Sequence, residues 1–408
     1  MRALVARLGM AAFVCGPGVA RAETYRLTLD QALALARERA PEVLVERARV
    51  REVEARRAGA AVLVRENPEI QGASGPRRSP GGESSTDVEV GVTQMFEMGG
   101  KRSARIAVAD AETAAARGRA QNAARRAQLE VASAFLRALH ARERVRVAEG
   151  SAASLEATRR VVERRAQKGD VAALEVNLAA SASVRARAAL LVRQAEADEL
   201  VASVAAHLGL GPDDTLELVG ALELRPAPPT AELLRRAAVR PDVAALLGEE
   251  RAGQAQERLG RAMKWPDLGL GGSYAREGEE DIFLAGLVIR LPLFERGQAE
   301  RAAGRARSER ARTERRLLAS SVARTIRVGS GRRARLEQAV ALLRKEAIPV
   351  LEDSEKLLAR SVETGLVGLG DYLASRRELL AAREEYLGRL LDVALAGIEL
   401  ELEAGGRP

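Results

Sequence analysis

The sequence predicts a mostly α-helical protein with a small amount of membrane β-structure, arranged as an internal tandem repeat. Three observations point there: a duplicated hairpin motif, proline-free helical stretches of unusual length, and landmarks that recur about 200 residues apart. Asn67 to Arg102 and Trp265 to Arg301 are two editions of one motif. Each opens on a Pro-acid pair (Pro68-Glu69, Pro266-Asp267), passes two strand-like runs and closes on Phe-Glu-x-Gly (Phe96 to Gly99, Phe294 to Gly297). The second edition follows the first by 198 residues. Pro41-Glu42-Val43 recurs as Pro241-Asp242-Val243, and the turn glycine Gly169 recurs at Gly365. Self-similarity at a fixed offset marks a tandem duplication.

The 408 residues are 47% apolar but only 2% aromatic, a composition that suits long helices better than compact cores. Arg2 and Arg7 precede an apolar run from Leu8 to Ala20 and the small-x-small triplet Ala20-Arg21-Ala22. That order predicts a secretory signal over 1–22, cut after Ala22. The sole cysteine, Cys15, lies inside it, so the exported chain is expected to have no disulfide or thiol chemistry. Losing Arg2, Arg7 and Arg21 lowers the formal charge from +8 to +5, too little to argue for nucleic acid. No later segment offers the roughly 18 uncharged apolar residues of a membrane-spanning helix. A membrane crossing must therefore use strands.

In order along the chain, Thr28-Leu29-Asp30-Gln31 reads as a capping box. Leu29, Leu33, Ala36, Ala40 and Val43 then follow heptad spacing, predicting a helix to about Val62 that bends at Pro41. In the hairpin over 66–96, Val88, Val90 and Val92 alternate with Glu89, Gly91 and Thr93 as a two-faced strand. Gly75 to Ser85 is too rich in Gly, Pro and Ser to be expected in regular structure. Lys101 to Gln167 lacks proline and predicts a single helix of roughly 100 Å, which needs partners along its length. Gly169 turns the chain into a return helix over 171–208, completing a first repeat over 23–208.

Residues 209–229 hold four prolines and a short strand-like run, and read as a linker. The second repeat, 230–408, restarts the helix pattern at Ala231 and reaches a hairpin over 265–294. There Phe283, Ala285, Leu287, Ile289 and Leu291 share one face, and Ile282, Leu284, Gly286, Val288 and Arg290 the other. A helical stretch from Gln298 to Val362 is expected to break at Gly329-Ser330-Gly331 and at Pro349. In the last helix Tyr372, Leu379, Tyr386, Val393 and Leu400 recur every seven residues, which imposes a left-handed supercoil. The helices over 29–62 and 370–401 laid end to end match the long leg 101–167 in length.

Chemistry is thin. Gly100-Lys101 fails the phosphate-loop pattern at Met95 and Arg102, and Gly269-Leu270-Gly271 lies in a strand with no dinucleotide-site helix after it. His140 and His207, the only histidines, are 67 residues apart with no cysteine nearby, so neither a metal site nor a cofactor is expected. No nucleophile, base and acid fall at a recognisable spacing, and no enzyme is expected. Two hairpins supply four strands, while bacterial membrane barrels need at least about eight. Several protomers must pool their hairpins, and two, three or four copies all remain open to the residues themselves.

Taken together these features resemble the TolC family of outer membrane efflux proteins from Leu27 to Leu400. The marks are Leu27-Thr28-Leu29-Asp30-Gln31-Ala32-Leu33, the paired Phe-Glu-x-Gly exits, and the Gly169 and Gly365 turns, each followed six residues on by an acid, Glu175 or Asp371. Gly99-Gly100-Lys101-Arg102 and Leu291-Pro292-Leu293-Phe294-Glu295-Arg296 are similar to the heavy-metal branch, typified by the cobalt-zinc-cadmium outer component. The resemblance implies a homotrimer in the outer membrane with a shared 12-stranded β-barrel, four strands per chain, and an α-helical coiled-coil barrel in the periplasm. An inner membrane RND pump and a periplasmic adaptor protein would be its partners, with heavy-metal cations as cargo. Gly169, Asp170, Gly365 and Leu366 would form the adaptor-docking tips. Glu175 and Asp371 would be pore-entrance acids, although Asp371 also reads as a helix cap. Ala374 and Val367 depart from the family's charged positions around that ring. A channel for drug efflux or type I protein secretion shares these marks, and a soluble periplasmic coiled-coil scaffold is the reading of another class.

Overall fold

A computed structural model describes residues 23–406 except 79, 80, 83 and 365. The signal expected over 1–22, with Cys15, and the turn expected at Gly365 lie outside the described residues. The first repeat runs β1 (Thr24–Leu27), α1 (Leu29–Arg39), α2 (Pro41–Ala61), β2 (Glu69–Arg78), β3 (Ser84–Phe96), α3 (Lys101–Gln167) and α4 (Ala173–Leu208). After β4 (Thr215–Leu218) come α5 (Thr230–Ala237), α6 (Pro241–Ala262), β5 (Asp267–Glu277), β6 (Glu280–Arg290), α7 (Gln298–Leu342), α8 (Ile348–Thr364) and α9 (Leu369–Glu403).

The capping box forms as expected: the Gln31 N–H donates to the Thr28 hydroxyl, and the Thr28 N–H donates to the Gln31 side chain at 2.9 Å. Pro41 ends α1 outright instead of bending one helix. Ala40 is extended (ψ 136°) because a residue before proline is driven out of the α region, and Pro41 then opens α2 at its first position. Arg240 and Pro241 repeat the arrangement between α5 and α6.

Two other expectations need correction. The Gly/Pro/Ser stretch is largely strand: β2 continues through Gly75 and Pro76 to Arg78, and β3 begins at Ser84. Because β2 is an edge strand of the chain's own sheet, the missing N–H of Pro76 is tolerated. Nor does α7 break at Gly329-Ser330-Gly331. A Cβ on Gly329 would come within 2.9 Å of Leu400 Cδ2, so this glycine admits α9 against an unbroken helix. The interruption expected at Pro349 falls just before it as a π-helical turn over Leu343–Ala347, where the Ile348 N–H donates to the Leu343 carbonyl. That wider turn accommodates a proline that cannot donate to the ladder.

The 67-residue α3 is the spine. Towards the sheet, α2 lies along it through Arg117–Glu54 and Arg57–Asp110 ion pairs of 2.7 and 2.6 Å. Towards the far end, α9 takes over. The two meet at one level, where Val43 and Ala40 pack on Ala127 and Arg125 donates to the Leu402 carbonyl at 3.0 Å. Two short helices thus stack against one long one. A core of Val131, Phe135, Val204 and Leu208 with Ala32 and Ala36 fills that middle level. Beside it β1 and β4 pair in parallel, Thr24 with Thr215 through Leu27 with Leu218, fastening the linker to the start of the repeat.

Both hairpins join one four-stranded sheet, β2-β3-β5-β6, antiparallel throughout. The helices nearest it follow the same order, α2 on α3, α3 on α6 and α6 on α7.

Candidate functional site at the helical tips and the sheet faces

The tip between α3 and α4 is closed by a Schellman turn. The Asp170 N–H donates to the Arg165 carbonyl and the Gly169 N–H to the Ala166 carbonyl, with Gly169 at φ +83° as the left-handed residue. Gly169 and Asp170 are exposed. At the second tip the Leu366 N–H donates to the Ser361 carbonyl, the equivalent bond 196 residues on, and Leu366 stands 82% exposed. Glu175 is the third residue of α4 and Asp371 the third of α9. Asp371 does not occupy the N-cap, which is Gly368 with no side-chain bond. It sits exposed in the first turn, where the positive end of the helix dipole favours a carboxylate. Glu175 is half-buried.

The fold brings the two tips together. Val162, Ala179, Leu369 and Tyr372 form a cluster joined by Val171 and Val367 from the two turns. Val367 is thus a packing residue, and Ala374 is exposed. Behind the cluster, Arg159 donates twice to Glu156 at 2.7 and 3.0 Å, and the fully buried Ser183 donates to it from α4 at 2.8 Å. These bonds, Arg159 first and Ser183 second, hold the Glu156 carboxyl down to about 2, and Arg159 is raised in turn.

The sequence reading missed a charged tie between α8 and α9. Arg383 lies 3.1 Å and the buried Arg376 3.7 Å from the two oxygens of Glu355. Arg376 and Arg383 are seven residues apart, one heptad, which was the available signal. Glu42 and Asp242, the matched residues of the two repeats, diverge in environment. Arg240 chelates Asp242 with bonds of 2.6 and 3.0 Å and keeps it below the usual carboxylate range despite burial. The position corresponding to Arg240 is Ala40, and Glu42 is pushed up by desolvation and by Glu130.

The sheet has two chemically distinct faces. By register Ile70, Val92, Gly272 and Ala285 share a row, Val90, Tyr274 and Phe283 another, and Leu270 with Leu287 a third, all on one side. This apolar side exposes Phe283 and Ile70. On the other side Gln71, Glu89, Thr93 and Ser273 line a concavity with Gly91 and Gly271, and Leu284 and Val288 of β6 complete this mixed face. Tyr274 and Phe283 pack with ring centres 5.0 Å apart and planes tilted by 41° near the β5–β6 turn, while Phe96, Trp265 and Phe294 lie at or beside the strand ends next to the helices. The six residue steps from Phe283 to Ile289 span ~20 Å of strand, much of the apolar band of a membrane barrel. Among the described residues, no helix is long and apolar enough to cross a membrane, and no three His, Cys, Asp or Glu gather to hold a metal ion.

A four-stranded sheet with one apolar face, mounted on helices in matching order, is the arrangement found in solved outer-membrane channels, and the chain has their fold. No family profile matches the sequence. The cobalt-zinc-cadmium resistance protein CzcC of Cupriavidus metallidurans is 27% identical over 298 residues, covering 72% of this chain and 71% of CzcC. The nickel-cobalt-cadmium resistance protein NccC of Alcaligenes xylosoxydans is 28% identical over 305 residues, 71% of this chain and 66% of NccC. CusC, solved in a study of folding and transmembrane channel formation, superposes with a TM-score of 0.75 at 16% identity, over 93% of this chain and 92% of CusC. The resemblance to TolC-type outer membrane efflux proteins of the heavy-metal branch is borne out.

Proposed function

We propose that this chain is the outer-membrane channel of a tripartite efflux system, a passive exit duct for heavy-metal cations that extends into the periplasm. The observation that carries the reading is the four-stranded sheet with one apolar face and unpaired edges at β2 and β6. Hydrocarbon does not tolerate open strand edges, so the sheet must close on copies of itself. Three protomers would give 12 strands, and their α2, α3, α6 and α7 would continue the ring below. Similarity to CzcC and NccC supports metal cations as cargo.

In this reading the exposed Gly169, Asp170 and Leu366, with the neighbouring Gly365 of the sequence, meet a periplasmic adaptor, and an inner membrane RND-type pump supplies the transport energy. Three copies of Asp371 near a narrow mouth would concentrate negative potential and favour cations. Glu175, half-buried, contributes less to that field. Deleting the gene tests the cargo: sensitivity should rise to one or more of zinc, cobalt, cadmium, copper and nickel. Unchanged tolerance of all five, with lost tolerance of dyes and antibiotics, would overturn the metal assignment. The purified protein should be a detergent-dependent, heat-labile trimer; a water-soluble monomer would overturn the channel.

A further inference from the structure

Where the sheet meets the helices, the start of α3 and the end of α6 leave an open cleft of about 590 Å3, lined in part by Gly100, Ser103, Arg258, Arg261, Lys264 and Trp265. Ion pairing tells which side of the wall it opens on. Lys101, Arg105, Glu112 and Arg119 share one face of α3 and bond to Asp267, Glu97, Arg307 and Glu249. Asp267 alternates in register with Gly269 and Gly271 on the concave side of the sheet. Ser103 and Asp110 lie half a helical turn away from those residues, Asp110 paired with Arg57. The cleft therefore opens on the convex side, below the apolar rows of Val92, Leu270 and Leu287.

Its charge is one-sided, for no carboxylate lines it among the described residues. Arg261 is paired with Glu257 at 2.9 Å. Arg258 and Lys264 meet no carboxylate among the described residues, and the Lys264 ammonium lies 5.7 Å from the centre of the Trp265 ring. The neighbouring strand-to-helix junctions expose Leu63, Leu291 and Phe294, the last at 90%. An apolar band, an indole at its lower margin and unpaired cations just beneath form the sequence of environments that a bilayer surface presents.

The structure assigns this cleft to the phosphate headgroup of an anionic phospholipid in the leaflet beside the helices, its acyl chains lying on the convex strands. The assignment rests on the outer-membrane reading above. Trp265 is the only tryptophan of the chain and reports the site directly. Full-length protein is reconstituted in phosphatidylcholine vesicles containing either brominated phosphatidylglycerol or brominated phosphatidylcholine. Phosphatidylglycerol should quench Trp265 at a lower mole fraction, by roughly fivefold per unpaired cation. The preference should shrink in about 0.5 M salt. It should approach unity in an Arg258→Gln, Lys264→Gln double variant that still inserts and assembles.

Equal quenching by both lipids overturns the headgroup site and leaves the membrane reading standing. Loss of the preference on adding inorganic phosphate, with ionic strength held constant by chloride, means that any phosphate fills the cleft, which overturns the lipid assignment. Absence of quenching by either lipid overturns the membrane reading itself.

Discussion

The hydroxyl oxygens of Tyr372 and Thr158 lie 3.0 Å apart, buried between α9 and α3. Thr158 already donates to the Ser154 carbonyl, so Tyr372 is the donor between them. One phenol thereby ties the second repeat's return helix to the first repeat's outgoing helix, just behind the two tips.

Tyr372→Phe keeps the ring among Val162, Ala179 and Leu369 and removes one hydrogen bond, at a cost of ~1 kcal/mol. Tyr372→Ala also empties the ring's site and should cost ~3–5 kcal/mol. Thermal unfolding and hydrogen exchange at the tips measure both. Equal effects of the two variants would show that the ring itself contributes nothing.

Acid should loosen the same region. Glu156 titrates at about 2 in the fold, below the ordinary 4.5, so its bonds to Arg159 and Ser183 stabilise fully above about 4.5. That contribution is lost as the pH falls from 4.5 towards 2. Hydrogen exchange of α3 and α4 near the tips should rise through this window in the parent and much less in Glu156→Gln. An identical pH profile in the variant would refute the assignment.

The opposite sign applies to Glu42, whose pKa is raised by burial and by Glu130. Its ionised form disfavours the fold above the unfolded pKa, and the penalty disappears on acidification. Glu42→Gln should therefore raise the melting temperature at pH 7, with the gain shrinking at about pH 4. A variant that melts lower at pH 7 would show that the carboxylate has a cation partner in the assembly.

Close helix contact supplies a steric test. Gly253 and Gly260 of α6 face Gly304 of α7 and its N-cap Gly297, and a Cβ on Gly304 would stand 2.4 Å from the Glu257 backbone nitrogen. Backbone cannot rotate aside, so Gly304→Ala should cost ~1–3 kcal/mol and part α6 from α7. Gly150, mid-helix with nothing within 4 Å, is the control: Gly150→Ala should gain ~0.5–1 kcal/mol. Comparable melting of both variants would remove the packing argument.

How far the site was legible depended on the range of the interaction. Gly169 announced its turn because only a residue free to reach positive φ closes a Schellman motif there. The two faces of β6 were legible because side chains alternate strictly along a strand. The Glu355 tie to Arg376 and Arg383 was not, since a heptad of arginines on one helix does not reveal which helix answers it. The Gly/Pro/Ser stretch misled because strand propensity yields to pairing when the neighbouring strand is already in place. The glycines at 329 and 331 misled for a related reason: helix propensity is weak beside the packing that Gly329 admits.

The sequence by itself determined the duplicated order of elements, the span of α3, the parity of the strand faces and the position of the Gly169 turn. Each depends on local periodicity, proline placement or backbone freedom, all of which act within a few residues. Only the tertiary structure decided that β3 pairs with β5 to fuse two hairpins, that β1 finds β4 across 191 residues, that Arg240 chelates Asp242 while Glu42 has no ion-pair partner among the described residues, and that Arg258 and Lys264 line one cleft with Trp265. Those outcomes are set by which distant surfaces come into contact, and a one-dimensional pattern carries the preference of each surface without the identity of its partner.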